Sequence, residues 1–156
     1  MIFTFICFLS LGGCSKYSDE VQASLTKLKI TKSCPGCDLT GIELVGFDLK
    51  NVDLSGSNLT SANLSRVDLT EANLTNANLT DANLVGAIFT DAKLVNTNLS
   101  GVKLSYANIS GVEISGAVLK DAHLNNSNVV NSRIINSDMN GANLYKANLM
   151  GHQFLT

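Results

Sequence analysis

From Leu39 to Phe154 an apolar residue returns at every fifth position, through Leu44, Leu49 and Leu54 to Leu144 and Leu149, 24 times without a slip. Two residues before each of these positions the chain is usually small, with eleven Ala, four Ser, Thr97 and Cys37. One residue before, it is Asn or Asp in 15 of the 24 units, as in Ala72-Asn73-Leu74 and Ala82-Asn83-Leu84. The two positions that follow are mostly Ser, Thr, Gly, Asn or charged. Each unit therefore offers one large and one small group to an interior and three polar groups to solvent.

Period five fits neither regular element. In a helix of 3.6 residues per turn, every fifth residue advances by about 140°, so no face stays apolar. In a strand the side chains alternate with period two, so an odd spacing changes face at every unit. The pattern is consistent with a chain that turns a corner in each unit, with Asn, Asp, Ser and Gly supplying the turn chemistry. Four units close one square coil, and 24 units make six coils. Stacked at the inter-strand spacing of about 4.8 Å, they form a rod about 29 Å long with the Leu columns along its axis.

These residues resemble the pentapeptide repeat family, whose consensus is Ala, then Asp or Asn, then Leu and two variable positions. The resemblance covers residues 38–156 and implies an all-β fold, a right-handed quadrilateral β-helix with the central and small residues inside. Departures from it sit at the ends. Ile42, Phe47 and Val52 replace small residues in the first coil, and His152 does so in the last.

The chain before the rod has two parts. Residues 18–29 read as a short amphipathic helix, with Ser18 or Asp19 as N-cap and Val21, Leu25 and Leu28 on one face. Asp19 and Glu20 near its start and Lys27 and Lys29 near its end suit the helix dipole. Within a linking region over 14–37, this helix is expected to act as a lid on the first coil. Residues 1–13 read as a signal peptide, since Ile2–Leu11 is an apolar run too short to span a membrane. Leu11-Gly12-Gly13-Cys14 resembles a bacterial lipoprotein cleavage and lipidation box, which implies an acylated Cys14 as the mature first residue. The box lacks the usual Lys or Arg ahead of the apolar run. Ser15, in place of the Asp linked to inner-membrane retention, points to the outer membrane.

Of four cysteines, Cys7 leaves with the signal and Cys14 takes the lipid, which leaves Cys34-Pro35-Gly36-Cys37. A redox reading of this CxxC needs a βαβ context, and a zinc reading needs two more ligands, while His123 and His152 lie far along the rod. Cys37 falls in the small inward column, which favours packing or a disulfide, and export favours the disulfide. Similar CxxC pairs precede the rod in many pentapeptide proteins. Neither histidine has a nucleophile at a recognisable spacing. No phosphate loop, catalytic carboxylate pair or metal cluster stands out, and the sequence predicts neither an enzyme nor a cofactor.

Composition narrows the function classes. Charged residues are 15% of the 156-residue chain, and the net charge is −2, which speaks against a nucleic-acid binder. The resemblance also brings in DNA-mimic binding of type II topoisomerases, which needs long negative tracks. Residues 38–156 hold eleven acids against seven bases, with Asn largely in place of Asp. Read four units apart, the outward residues Asp53, Asn73, Lys93, Glu113 and Arg133 pair opposite charges, while Asp48 beside Asp68 is a mild repulsion. The reading is a non-enzymatic, lipid-anchored structural or protein-interaction module of the cell envelope. The alternative is a cytoplasmic topoisomerase-binding DNA mimic. Past Phe154 only Leu155 and Thr156 remain, and Val130 over Met150 and Ile135 over Leu155 make the last coils apolar outside. Family members dimerise through such coils, which implies a homodimer contact at Met150, Phe154 and Leu155.

Overall fold

The structure is a computed structural model that describes residues 16–151 and the backbone of 153–155. The residue pairing repeats every four units: Asp38 bridges Asn58, Asn58 bridges Asn78 and Asn78 bridges Asn98, all in parallel. Three short strands, β1 (Glu113–Ser115), β2 (Arg133–Ile135) and β3 (Gln153–Leu155), form one parallel sheet in the order β1-β2-β3. The ladder begins at Ser33, which bridges Asp53, so the rod starts one unit before the reading that placed its first residue at 38. Cys34 takes the central position of this added unit and is fully buried.

The corner that period five demands has one backbone feature throughout. The third residue of each turn has positive φ, from Gly36 (67°) through Asn51 (56°) and Glu71 (58°) to Gly151 (66°). In most units the N–H of the fourth residue donates to the central carbonyl, as Ile42 N does to Leu39 O at 3.3 Å. A turn with positive φ at its third residue alone is type II, which favours Gly and Asn there. That position is filled by Gly, Asn or Asp in most units, and Ser61, Arg66, Glu71, Tyr106 and Lys146 accept the same left-handed geometry.

The Asn/Asp column has a second physical cause. In fourteen of its fifteen members the side-chain oxygen accepts the N–H two residues later, as Asn78 Oδ1 does from Thr80 N at 3.1 Å. That N–H lies on the turn and has no place in the ladder, so the side chain satisfies it. Asn then does what Asp cannot. Its Nδ2 donates to the coil before it, as Asn63 does to Glu43, Asn73 to Asp53 and Asn83 to Asn63. Asp38, Glu43 and Asp48 have no ladder partner before them, and Asp53 follows only Ser33, so none of the four faces an earlier Asn or Asp side chain that needs such a donor. Asn in this column thus contributes to stacking as well as to its own turn, although Asp68 and Asp138 hold the position in later coils.

The interior follows the register. Leu39 through Leu84 in the central column are buried, as are Phe89 and the Ala residues of the small column from Ala62 to Ala122. Ile42 and Val52 fit inside the first coil, whereas Phe47 is 40% exposed and turns out to the surface. In the last coil Met139, Leu144 and Leu149 are half-buried. Serines in the small column do more than save space. In the turn from Ile109 to Val112, the Ser132 hydroxyl of the next coil accepts the Val112 N–H and donates to the Ile109 carbonyl. Ser137 bridges Ala117 and Ile114 in the same way. Thr97 donates to Leu74 O at 2.9 Å.

The helix α1 (Asp19–Thr31) closes the first coil. Ser18 caps it by accepting from Val21 N, and Lys32 ends it in a left-handed conformation. Val21 and Leu28 are buried, and Leu25 and Tyr17 pack on the core, as the amphipathic spacing predicts. The helix runs two residues beyond the predicted end.

Substitutions in the axis and between coils test this architecture. Leu84→Ala, in mid-rod, is expected to cost about 2–5 kcal/mol in chemical denaturation. Leu84→Asp is expected to prevent folding, whereas Asn83→Asp, which loses one surface donor, costs about 1 kcal/mol. Ser132→Ala leaves Val112 N–H and Ile109 C=O unpaired in the interior and is expected to cost about 1–3 kcal/mol. Ser57→Ala should cost less, because the Ser57 N–H still closes its own turn on Leu54 O.

Candidate functional site

The outward side chains are all that the rod leaves free for function, because its large apolar groups fill the axis. Arg66, Lys103, Tyr106, His123, Tyr145 and Lys146 lie on one strip, formed by the face of the Glu43 column and the ridge that follows it. Tyr106 and Tyr145 are 67% and 66% exposed, and the Lys146 Nζ lies 5.1 Å from the Tyr145 ring centre. Beside the top of this ridge, Leu28, Lys29, Lys32, Leu44 and Phe47 line a cleft of 190 Å³ between α1 and the first coil. The Lys29 Nζ stands 6.0 Å from the Phe47 ring centre.

The segment before α1 is seated at the top of the same face. Tyr17 Oη accepts the Glu43 N–H at 3.1 Å, and Lys16 Nζ lies 3.5 Å from Glu43 Oε1. Hydrogen bonding to Tyr17, with the charge of Glu43 behind it, raises the Lys16 pKa above its ordinary value.

The sequence-nominated residues fall in different places. Cys34 and Cys37 are joined by a disulfide, with their Cα atoms 5.4 Å apart, across the first turn of the rod. The bond ties the central column to the small column where α1 meets the coil. His123 is exposed in the Asn/Asp column, far from the disulfide. Cys14 and His152 lie outside the described residues. Met150 is 69% exposed and follows Val130 in its column, while the side chains of Phe154 and Leu155 lie outside the described residues. Among the described residues no group of three His, Cys, Asp or Glu is placed to hold a metal ion, and no helix is long and apolar enough to cross a membrane.

The charge pairing read from the columns needs correction. Asp48 and Asp68 do stand in register, but Lys50 reaches Asp68 Oδ2 at 3.2 Å and relieves the repulsion. Glu113 stands in register with Lys93 and Arg133, yet among the described residues these neighbours close no ion pair. Long side chains on a solvated face lose entropy when held together, so register alone does not make a salt bridge. The Lys50 pKa is raised by its hydrogen bond to Asp68. The Asp53 carboxyl is held below its ordinary value by the Ser55 hydroxyl and N–H. For Asp68, desolvation pushes upward, but the Thr70 hydroxyl and N–H together with Lys50 outweigh it, and the net direction is down.

A carboxyl depressed on folding stabilises the fold in full above its unfolded pKa of about 3.9, and the contribution is lost as pH falls through the folded value. Thermal unfolding between neutral and acid pH is therefore expected to show a falling midpoint below about pH 4. Asp68→Asn should make that decline shallower and leave the neutral midpoint little changed or lower.

The sequence profile described as pentapeptide repeats matches in eight copies, over stretches that run from residue 35 to residue 151. A crystal structure of a pentapeptide repeat protein, Rfr23, from the cyanobacterium Cyanothece 51142 is 30% identical, with a TM-score of 0.59. The match covers 85% of this chain and 94% of that one. A pentapeptide repeat protein of the Arabidopsis thaliana thylakoid lumen is 28% identical over 67% of this chain and 66% of that one, with a TM-score of 0.41. QnrB1, a plasmid-mediated fluoroquinolone resistance protein, is 16% identical over 78% and 79% of the two chains, with a TM-score of 0.42. No curated protein sequence matches the chain. The five-residue register, the stacked type II corners and the matched profile agree, and the chain belongs to the pentapeptide repeat family.

Proposed function

We infer that this protein is a non-enzymatic structural or protein-interaction module, held at the cell envelope by a lipid on Cys14. Pentapeptide repeat proteins are generally structural or interaction modules. The observation that carries the reading is how the side chains are used. The central and small columns fill the axis, and most residues of the Asn/Asp column are committed to their own turns, several of them also to the neighbouring coil. What remains is a rigid set of faces on which a partner can be read, and such surfaces are what solenoids offer. The topoisomerase-binding alternative needs acids in long runs. Here Asp81 and Asp121 are separated by Gly101 in their column, and the strip that holds Arg66, Lys103 and Lys146 is positive.

The lipid anchor rests on the Leu11-Gly12-Gly13-Cys14 box. Intact-mass analysis of the protein purified from a bacterial host is expected to find Cys14 as the first residue, carrying a diacylglycerol group. An unprocessed chain that begins at Met1 and is recovered from the soluble fraction would overturn the anchor and favour the cytoplasmic alternative.

A further inference from the structure

The net charge of the rod conceals a division. From Asp38 onward eleven acids face seven bases. On the strip along the Glu43 column and its ridge, the bases Arg66, Lys103 and Lys146 meet one acid, Glu43, and on all other columns four bases meet ten acids. The strip therefore carries +2 and the rest of the rod −6. Glu43 is itself paired with Lys16, so the charge on the strip is effectively unopposed.

Five of the eight large apolar residues exposed among the described residues lie on or beside the same line, while Ile30, Val118 and Met150 lie off it. Val45, Tyr106 and Tyr145 belong to the strip, and Phe47 and Ile88 adjoin its ridge, each 37% or more exposed. Tyrosine with lysine and arginine is the composition favoured at a membrane–water interface, where the ring sits at the headgroups and the cation meets anionic lipid. The chain enters the rod on this face too, through the contacts of Lys16 and Tyr17 with Glu43. Cys14 is two residues from Lys16, a reach of about 7 Å.

We propose that the strip of Arg66, Lys103, Tyr106, Tyr145 and Lys146 docks on an anionic lipid surface. The rod then lies along the membrane with its acidic faces turned to solvent. The orientation rests on the lipid-anchor reading for the position of Cys14, and the charge and tyrosine pattern supports the contact independently. A partner protein with an acidic surface would need the same charges but not the proximity of the anchor.

The chain contains no Trp, so a single introduced indole reports its own surroundings. Tyr106→Trp places one on the strip, and Val95→Trp places one on the diagonally opposite corner, two units away in the coil. The full-length protein is bound to vesicles of phosphatidylcholine and phosphatidylglycerol with brominated acyl chains, after thermal unfolding has confirmed that each variant folds. Tyr145→Trp serves if Tyr106→Trp does not fold. Fluorescence of the Tyr106→Trp variant is expected to be quenched about twofold more than that of the Val95→Trp variant, and the difference should vanish in about 1 M salt, where the screening length is about 3 Å. Lys103→Gln with Lys146→Gln should also abolish it, since two contacts at about fivefold each amount to roughly 25-fold in surface affinity.

Equal quenching in the two variants, or a difference that survives the loss of both lysines, would overturn the docking. Binding to soluble acidic protein without quenching would do the same. N-terminal mass keeps the two readings apart. A diacylated chain without asymmetric quenching retains the anchor and loses the docking. An unacylated chain that still shows the asymmetry retains the docking and loses the anchor.

Discussion

A five-residue apolar period has meaning only if the chain turns a corner in every unit, and each corner passes through a left-handed residue. That requirement governs the rest of the molecule. It sends the central side chain to the axis, sets the small residue beside it and leaves three outward positions. Parallel pairing then joins each unit to the one four units on, so that a corner is held by the coils above and below it. Bulky residues such as Arg66 and Tyr106 can occupy the left-handed position because the ladder on both sides determines it.

Polar groups make the stacking specific. An apolar axis alone would tolerate sliding between coils, whereas a hydroxyl or amide that must meet its partner in the next coil does not. Ser132 inserted in the turn from Ile109 to Val112, and Asn83 joined to Asn63, work this way in the interior and on the surface. Glycines contribute by shape. A side chain at Gly101 would collide with the Asp81 carboxylate one coil earlier, and Gly111 stands in the same relation to Asp91. The left-handed Asp and the glycine a full coil later are thus a fitted pair.

The same architecture separates interior chemistry from surface chemistry so completely that a site has to be a pattern of outward columns. With α1 seated over the first coil and the disulfide tying its entry, the N-terminal end of the rod is fixed in orientation relative to every face. A charge placed at a given position of the repeat therefore has a defined place on the surface. The strip from Arg66 to Lys146 shows how a chain of small net charge can still present one positive side.

Taken by itself, the sequence determined the period, the inward columns, the corner in each unit, the family and the capping helix, with Ser18 or Asp19 at its start. These were legible because they depend on spacing, and one register runs from Leu39 to Phe154. The sequence also placed Cys34 next to the rod without showing that it occupies the axis, because a cysteine ahead of the Leu column carries no periodic signal of its own. Tertiary structure decided what depends on three-dimensional neighbours. Phe47 leaves the core because its volume exceeds the small position, although Ile42 and Val52 fit. Lys50 turns to Asp68, while Lys93 and Glu113, equally well registered, remain apart. Serines that read as small residues prove to be the links of open turns. Position in a repeat says which column a residue joins. Which atoms meet within that column depends on side-chain length, rotamer and solvent, and those are settled only when the coils are stacked.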